Sequence, residues 1–159
     1  MISGYGHTFE RMKEGPAPSA GAVANAMERA LETACLRPQD IDLILAHGDG
    51  SVLGDRSEAE AISLVFGKKT GSIPVFSSKA SLGNLFAGAP AADVILGIQM
   101  IGKGIIPAMI HDGSKSIHQG AGNLGLIVGK PLVKDVRRVM VNCQSYEGQA
   151  SSIIIEAIT

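Results

Sequence analysis

Ile41-Asp42-Leu43-Ile44-Leu45-Ala46-His47-Gly48-Asp49-Gly50-Ser51 is the stretch whose reading decides the fold. Its first six residues make an apolar run with a single polar interruption, the pattern of a buried strand over 41–46. His47 follows at the strand's end, in a Gly-rich turn. Further on, a second short apolar run, Ile73–Phe76, leads into Ser77-Ser78-Lys79-Ala80-Ser81-Leu82-Gly83-Asn84-Leu85-Phe86-Ala87-Gly88-Ala89. That segment opens a long helix of small and apolar residues. Strands alternating with helices predict an α/β domain, whose ligands sit outside the carboxyl ends of the strands. His47, Lys79 and Asn84 are the polar residues this pattern gathers at one end of a sheet.

Working outward, 159 residues suffice for one domain, 1–159, with a sizeable core. Trp is absent and aromatics make up 4% of the chain, so Gly, Ala and the aliphatic residues must carry close helix–sheet packing. The net charge of −1 gives no electrostatic case for nucleic acid. No apolar run is long enough for a membrane span, and no basic-then-apolar leader opens the chain. Cys35 and Cys143 lie far apart without metal spacing. These features predict a reduced, cytoplasmic protein.

In chain order, a strand is expected over Met1–Tyr5, which fits a domain that begins mid-fold. A Gly/Pro loop follows over His7–Ser19 and a helix over Ala20–Leu36, closed by Arg37-Pro38. A further helix is expected over Asp55–Phe66. The Leu85–Gly102 helix is apolar around almost its whole circumference, interrupted only by Asp93 and Gln99, with Lys103 beyond its end. Such a helix is buried on all sides. A lone three-layer domain rarely provides that, so a second sheet from another chain is expected to cover it. Ile105–Asn123 reads as irregular and Leu124–Val128 as a strand. Val136–Cys143 and Ser151–Ile158 read as a closing hairpin around Gln144–Ala150.

Taken singly, the candidate residues have bland readings. His47 is the best catalytic candidate, yet a hydrogen-bonded loop histidine is commoner. Lys79 alone reads as a solvated lysine, Asn84 as a helix cap, and Cys35 as a packed thiol. Gly120–Gly125 matches a dinucleotide fingerprint on paper but precedes a strand, so it is rejected. His111 and His118 lack metal spacing, and no Ser nucleophile elbow appears. No metal and no cofactor is called for.

Together these stretches resemble the C-terminal half of a β-ketoacyl synthase of the thiolase superfamily. Ala30–Asp42 resembles ALxDAGLxPxDID, Ala46–Ala61 resembles AHGTSTPLGDxxExEA, and Ser77–Ala89 resembles SSTKSxxGHLLGAAG. Asn142–Ala150 stands where that family has NSFGFGGTN. The resemblance implies half of an α-β-α-β-α fold: a mixed sheet of about five strands with helices on both faces, and Leu85–Gly102 in the central layer. It also implies a decarboxylative Claisen condensation in which a Cys of the N-terminal half carries the acyl chain.

By position, His47 and Asn84 resemble the two residues that stabilise the enolate oxygen. Lys79 resembles the buried lysine and Glu58 its acidic partner. The backbone N–H of Tyr146 resembles the oxyanion donor of a gating loop that includes Gln144 and Gly148. Asp49 and Ser51 fall in the carrier-arm pocket, Asp49 replacing a threonine. A carboxylate there opposes an anionic malonyl group.

The resemblance implies an N-terminal ketosynthase half or subunit and acyl carrier protein thioesters as partners, in a homo- or hetero-oligomer. Lys68, Lys69, Arg137 and Arg138 are the cations available to an acidic carrier. The first function expected is a split ketosynthase completed by a Cys-bearing partner. The alternative is a non-catalytic, chain-length-factor-like subunit that shapes another synthase. A hydrolase or acyltransferase on the same scaffold ranks third, for want of a placed nucleophile.

Overall fold

The structure is a computed structural model that describes residues 1–10, 15, 17–110 and 123–158. His111, His118 and Gly120–Gly122 lie outside the described residues. Six strands form one sheet, in the order β1 (Ile2–Phe9), β8 (Gln149–Glu156), β7 (Arg138–Gln144), β2 (Leu43–Leu45), β3 (Pro74–Phe76) and β5 (Gly125–Leu126). The β1–β8–β7 edge is antiparallel, and β7, β2, β3 and β5 run parallel. The mixed sheet is as expected, with one strand more than the five anticipated. β4 (Ile105–Ile106) and β6 (Leu132–Val133) make a separate small ladder.

Alternation along the central strands sends side chains to two cores. Ile44, Met140 and Ile154 join Val23, Met27 and Leu31 of α1 (Ala20–Ala34) and Ile62 of α2 (Val52–Phe66). Leu43, Leu45, Val139, Val141 and Ile155 point the other way, with Met100 of α4 (Ala89–Lys103). Each fully buried Leu, Ile or Met contributes about 1.5–3 kcal/mol. Two glycines set the α1 packing. A Cβ on Gly4 or Gly6 would stand 2.2 Å from the Ala30 carbonyl oxygen or 2.0 Å from that of Ala26. So close a helix also blunts the sheet edge: the Thr33 hydroxyl bonds both the N–H and C=O of Tyr5, and Arg29 bonds the His7 carbonyl.

Several boundaries differ from the sequence reading. β1 runs on to Phe9 because His7–Phe9 pair with Gln149–Ser151. α2 starts at Val52, three residues early, because Ser51 caps it through the Gly54 N–H at 3.2 Å. The long apolar helix is broken at its start. Lys79–Leu82 form a single turn, α3, and Phe86 takes a left-handed φ of 50°. α4 then begins at Ala89, with Pro90 in its first turn.

α4 is not buried all round within this chain. Ala89, Asp93, Gly97 and Met100 face the sheet, whereas Ile95 is 60% and Ile98 51% exposed. Tyr5 and Phe9 are 69% and 67% exposed. Their register opposite Ile153 and Gln149 puts them on the same side of the sheet as α4.

Candidate functional site

The site forms where β2 ends. The chain leaves Leu45 through Ala46 and His47 and turns at Gly48, whose φ is +45°. Glu58, on the buried face of α2, holds that turn. One carboxylate oxygen accepts the His47 N–H at 2.9 Å and the Asn142 amide at 3.1 Å; the other accepts the Gly48 N–H at 3.0 Å. Burial pushes the Glu58 carboxyl up, and the Gly48, His47 and Asn142 donors oppose that shift. Ser152 donates to Asn142 at 2.8 Å, so the amide that serves Glu58 is itself oriented.

Glu58 is therefore not the partner of Lys79, which the resemblance had implied. Lys79 pairs with Asp93 of α4 at 2.6 Å, and the two side chains are 5% and 2% exposed. Ser78 donates to the other Asp93 oxygen at 2.5 Å. The carboxylate of Glu58 is already taken by backbone N–H groups of its own strand–turn–helix unit. The signal for Asp93 was present in the sequence: it is the one acid in the apolar stretch of α4, on the face that meets the sheet.

His47 is 9% exposed. Burial, and then the charge of Lys79, hold its imidazole below the ordinary value, so the ring is neutral at pH 7. Its Nε2 lies 3.8 Å from Asp49 Oδ2. The same Asp49 oxygen accepts the Tyr146 hydroxyl at 2.8 Å, and Asp49 Oδ1 accepts the Ser51 N–H at 2.9 Å. Burial pushes the Asp49 carboxyl up, but the hydrogen bonds from Ser51 and Tyr146 outweigh it and hold it below the usual range. The Asp49 bond raises the Tyr146 phenol, and the Asn84 amide beside it opposes that shift. Asn84 does not cap α4; its Oδ1 accepts the Phe86 N–H at 2.9 Å in a local turn.

His47, Asp49, Asn84 and Tyr146 thus converge, with Lys79 just behind them. Gly148, at φ +91°, closes the β7–β8 turn that carries Tyr146 across. A cavity of about 10 Å³ is left between His47, Asp49, Ser51, Gln144 and Tyr146. A larger one, about 630 Å³, adjoins it at Asp49 and is walled also by Gly48, Lys79, Val52, Ile62 and Leu126. Among the described residues no group of His, Cys, Asp and Glu is arranged to hold a metal ion. No helix among them is long and apolar enough to cross a membrane.

Residues 1–112 match the family described as beta-ketoacyl synthase, C-terminal domain. The chain belongs to that family. Among relatives of this ketosynthase domain is the tetracenomycin polyketide synthase ketoacyl synthase beta subunit of Streptomyces glaucescens. It is 30% identical over 97% of the chain, which covers 36% of that protein. The ishigamide ketosynthase/chain length factor superposes with a TM-score of 0.89 at 26% identity, over 99% of this chain and 38% of that one. A β-ketoacyl synthase from Burkholderia phymatum STM815 gives 0.85 at 25% identity, over 99% and 37%. The fold is thus that of a C-terminal half of the thiolase-like architecture, and the chain spans little more than a third of each of these three proteins.

Proposed function

We propose that this chain is the C-terminal half of a ketosynthase-fold subunit of polyketide biosynthesis that works as the partner of a condensing ketosynthase. The observation that carries this reading is the Tyr146–Asp49 bond across His47. Decarboxylative condensation at this position needs donors aimed at a developing oxyanion, in a space that admits a malonyl thioester. Here an anionic carboxylate stands 3.8 Å from the imidazole, and the space between His47, Asp49, Gln144 and Tyr146 is about 10 Å³. The relative of Streptomyces glaucescens is a beta subunit and the ishigamide protein is a ketosynthase/chain length factor, which supports a partner role.

The other half of the subunit covers α4. Ile95 and Ile98, with Leu82, Leu85 and Phe86 before the helix, are large apolar side chains left about half or more exposed, and clustered apolar exposure marks an interaction surface. Tyr5 and Phe9 extend it over the open face of β1. An N-terminal half laid against that face completes the sandwich. The condensing subunit, with its Cys, and an acyl carrier protein are the further partners.

A second reading, condensation by this site itself, draws on the neutral His47 and the intact Lys79–Asp93 pair. Reconstitution separates the two. With a condensing subunit and a loaded carrier protein, the partner role requires that product form with the His47→Ala variant and fail when the chain is left out. Loss of turnover in His47→Ala, with assembly intact, would overturn it in favour of condensation here.

A further inference from the structure

β1 carries a histidine into the face that α4 leaves open. Side chains alternate along a strand, so Tyr5, His7 and Phe9 share one side, while Gly4 and Gly6 turn toward α1. Register sets His7 opposite Ser151 of β8, and Ser151 opposite Cys143 of β7. The His7 Nδ1 stands 2.9 Å from the Ser151 Oγ, the ring's one hydrogen bond among the described residues. Its surroundings are otherwise apolar and uncharged. The Tyr5 and Phe9 rings flank it along β1, and β8 places Gln149, Ile153 and Ile155 on the same side. Arg29 of α1 reaches round the sheet edge to the His7 carbonyl at 3.0 Å. The acids nearby are engaged elsewhere: Glu10 accepts from the Ser19 hydroxyl, and Asp93 of α4 is paired with Lys79. Among the described residues no carboxylate lies within ion-pair distance of the ring.

We infer that His7 is a pH-sensitive key of the interface between the two halves: the N-terminal half docks on this face while the ring is neutral, and protonation of His7 releases it. The inference rests on the partner-subunit reading, in which that half lies over α4 and the open face of β1. The N-terminal half is the occupant because the surface runs on into the exposed Ile95 and Ile98 of α4, and because each of the three proteins compared above has more than half its length outside the part this chain matches. Histidine is the side chain that changes charge between about pH 5 and 8. His7 is exposed in the free chain, where water solvates either form. Docking removes that water. A neutral ring keeps its Ser151 bond and asks the partner for one group at Nε2. A charged ring would be enclosed between aromatic and aliphatic side chains, with a guanidinium at the edge and no carboxylate, and burying an unpaired charge is costly. The free chain therefore binds a proton that the assembled subunit excludes. Affinity is full above the histidine range and is lost as pH falls through it.

Sedimentation velocity of the chain mixed with the N-terminal half of its subunit, at about pH 7.5 and about pH 5.5, reads the effect. The parent should associate about tenfold more weakly at the lower pH, the factor that corresponds to one unit of difference in proton affinity. His7→Asn keeps a polar side chain that cannot take up a proton, and should associate equally at both. His7→Lys makes the charge permanent and should associate weakly at both. Far-UV circular dichroism of the variants separates lost docking from lost folding, and an exposed strand position is expected to leave the fold intact. A parent with no pH step, a His7→Asn variant that keeps the parent's step, or a His7→Lys variant as tight as the parent at the higher pH would each overturn the inference while leaving the docking of the halves in place. Absence of association by every form at both pH values would overturn the partner-subunit reading and this inference together.

Discussion

Replacing Asp93 by Asn tests the electrostatic centre of the domain. The Lys79–Asp93 pair is 2.6 Å long, with side chains 5% and 2% exposed. Asn is nearly isosteric and keeps an oxygen for the Ser78 hydroxyl, which now lies 2.5 Å from Asp93 Oδ1. What the variant removes is the negative charge opposite a buried ammonium. Losing one member of a buried ion pair costs about 3–5 kcal/mol, because the other charge stays desolvated. For a domain of this size that is a fall in Tm of roughly 10 °C. Removing both charges, Lys79→Met with Asp93→Leu, should recover most of the loss. Apolar replacement of a buried pair is often near neutral, and only the Ser78 bond, about 1 kcal/mol, goes unreplaced. The assay is urea unfolding followed by far-UV circular dichroism, since the chain has no Trp. A loss below about 1 kcal/mol for Asp93→Asn, or a double variant as unstable as the single ones, would refute the assignment of a tightly coupled buried pair.

Three further outcomes are expected. Ile95→Lys with Ile98→Lys should leave urea stability within about 1 kcal/mol of the parent, because both side chains are exposed, yet should prevent association with the N-terminal half in sedimentation; unchanged association would sink the α4 interface. Gly6→Ala should cost several kcal/mol or prevent folding, about 3 or more by the overpacking rule, since its Cβ would stand 2.0 Å from a helix carbonyl oxygen; near-parent stability would show that α1 can shift away. His47 should titrate by NMR below a free histidine. Its preference for the neutral ring stabilises the fold fully above the unfolded-state value and is lost as pH falls through the lower folded value, so His47→Gln should flatten stability against pH in that window. A normal His47 titration would contradict the burial described here.

Much of this architecture was legible in the sequence because its signals are local. The Leu43–Leu45 strand, the β7–β8 hairpin and the exclusively polar character of the His47 turn follow from period and turn chemistry. The extension of β1 was not legible, because His7-Thr8-Phe9 becomes a strand only through pairing with a segment more than a hundred residues away. The break before α4 was missed because apolar spacing continues through Leu85 and Phe86, and nothing local marks the left-handed Phe86. At the site, the sequence pattern gathered His47, Lys79 and Asn84, and the resemblance added Asp49 and Tyr146. The resemblance made Glu58 the partner of Lys79, whereas the lysine pairs with Asp93. Glu58 and Asp93 are both buried acids on packed helices, and which one meets the lysine depends on how α2 and α4 cross opposite faces of the sheet. The buried amide nitrogen of Gln144, unpaired among the described residues, could not be seen at all, since an unpaired donor is defined by what fails to surround it.

α4 explains why a helix so apolar still carries an aspartate. Its inner face, at Asp93 and Gly97, sets the distance to the sheet: a Cβ on Gly97 would stand 3.2–3.4 Å from Ile155, Leu45 and Val139. That close seat brings Asp93 within reach of Lys79, which sits behind His47. Its outer face, at Ile95 and Ile98, is what a partner half would cover. Covering it removes water from the helix that supplies the lysine's counter-charge, and electrostatic interactions strengthen as the local dielectric falls. Assembly and the charge state behind His47 are therefore coupled through one rigid element. The Asp93→Asn penalty should accordingly be larger in the assembled subunit than in the isolated chain, and equal penalties in the two states would mean that α4 transmits nothing from the interface to the site.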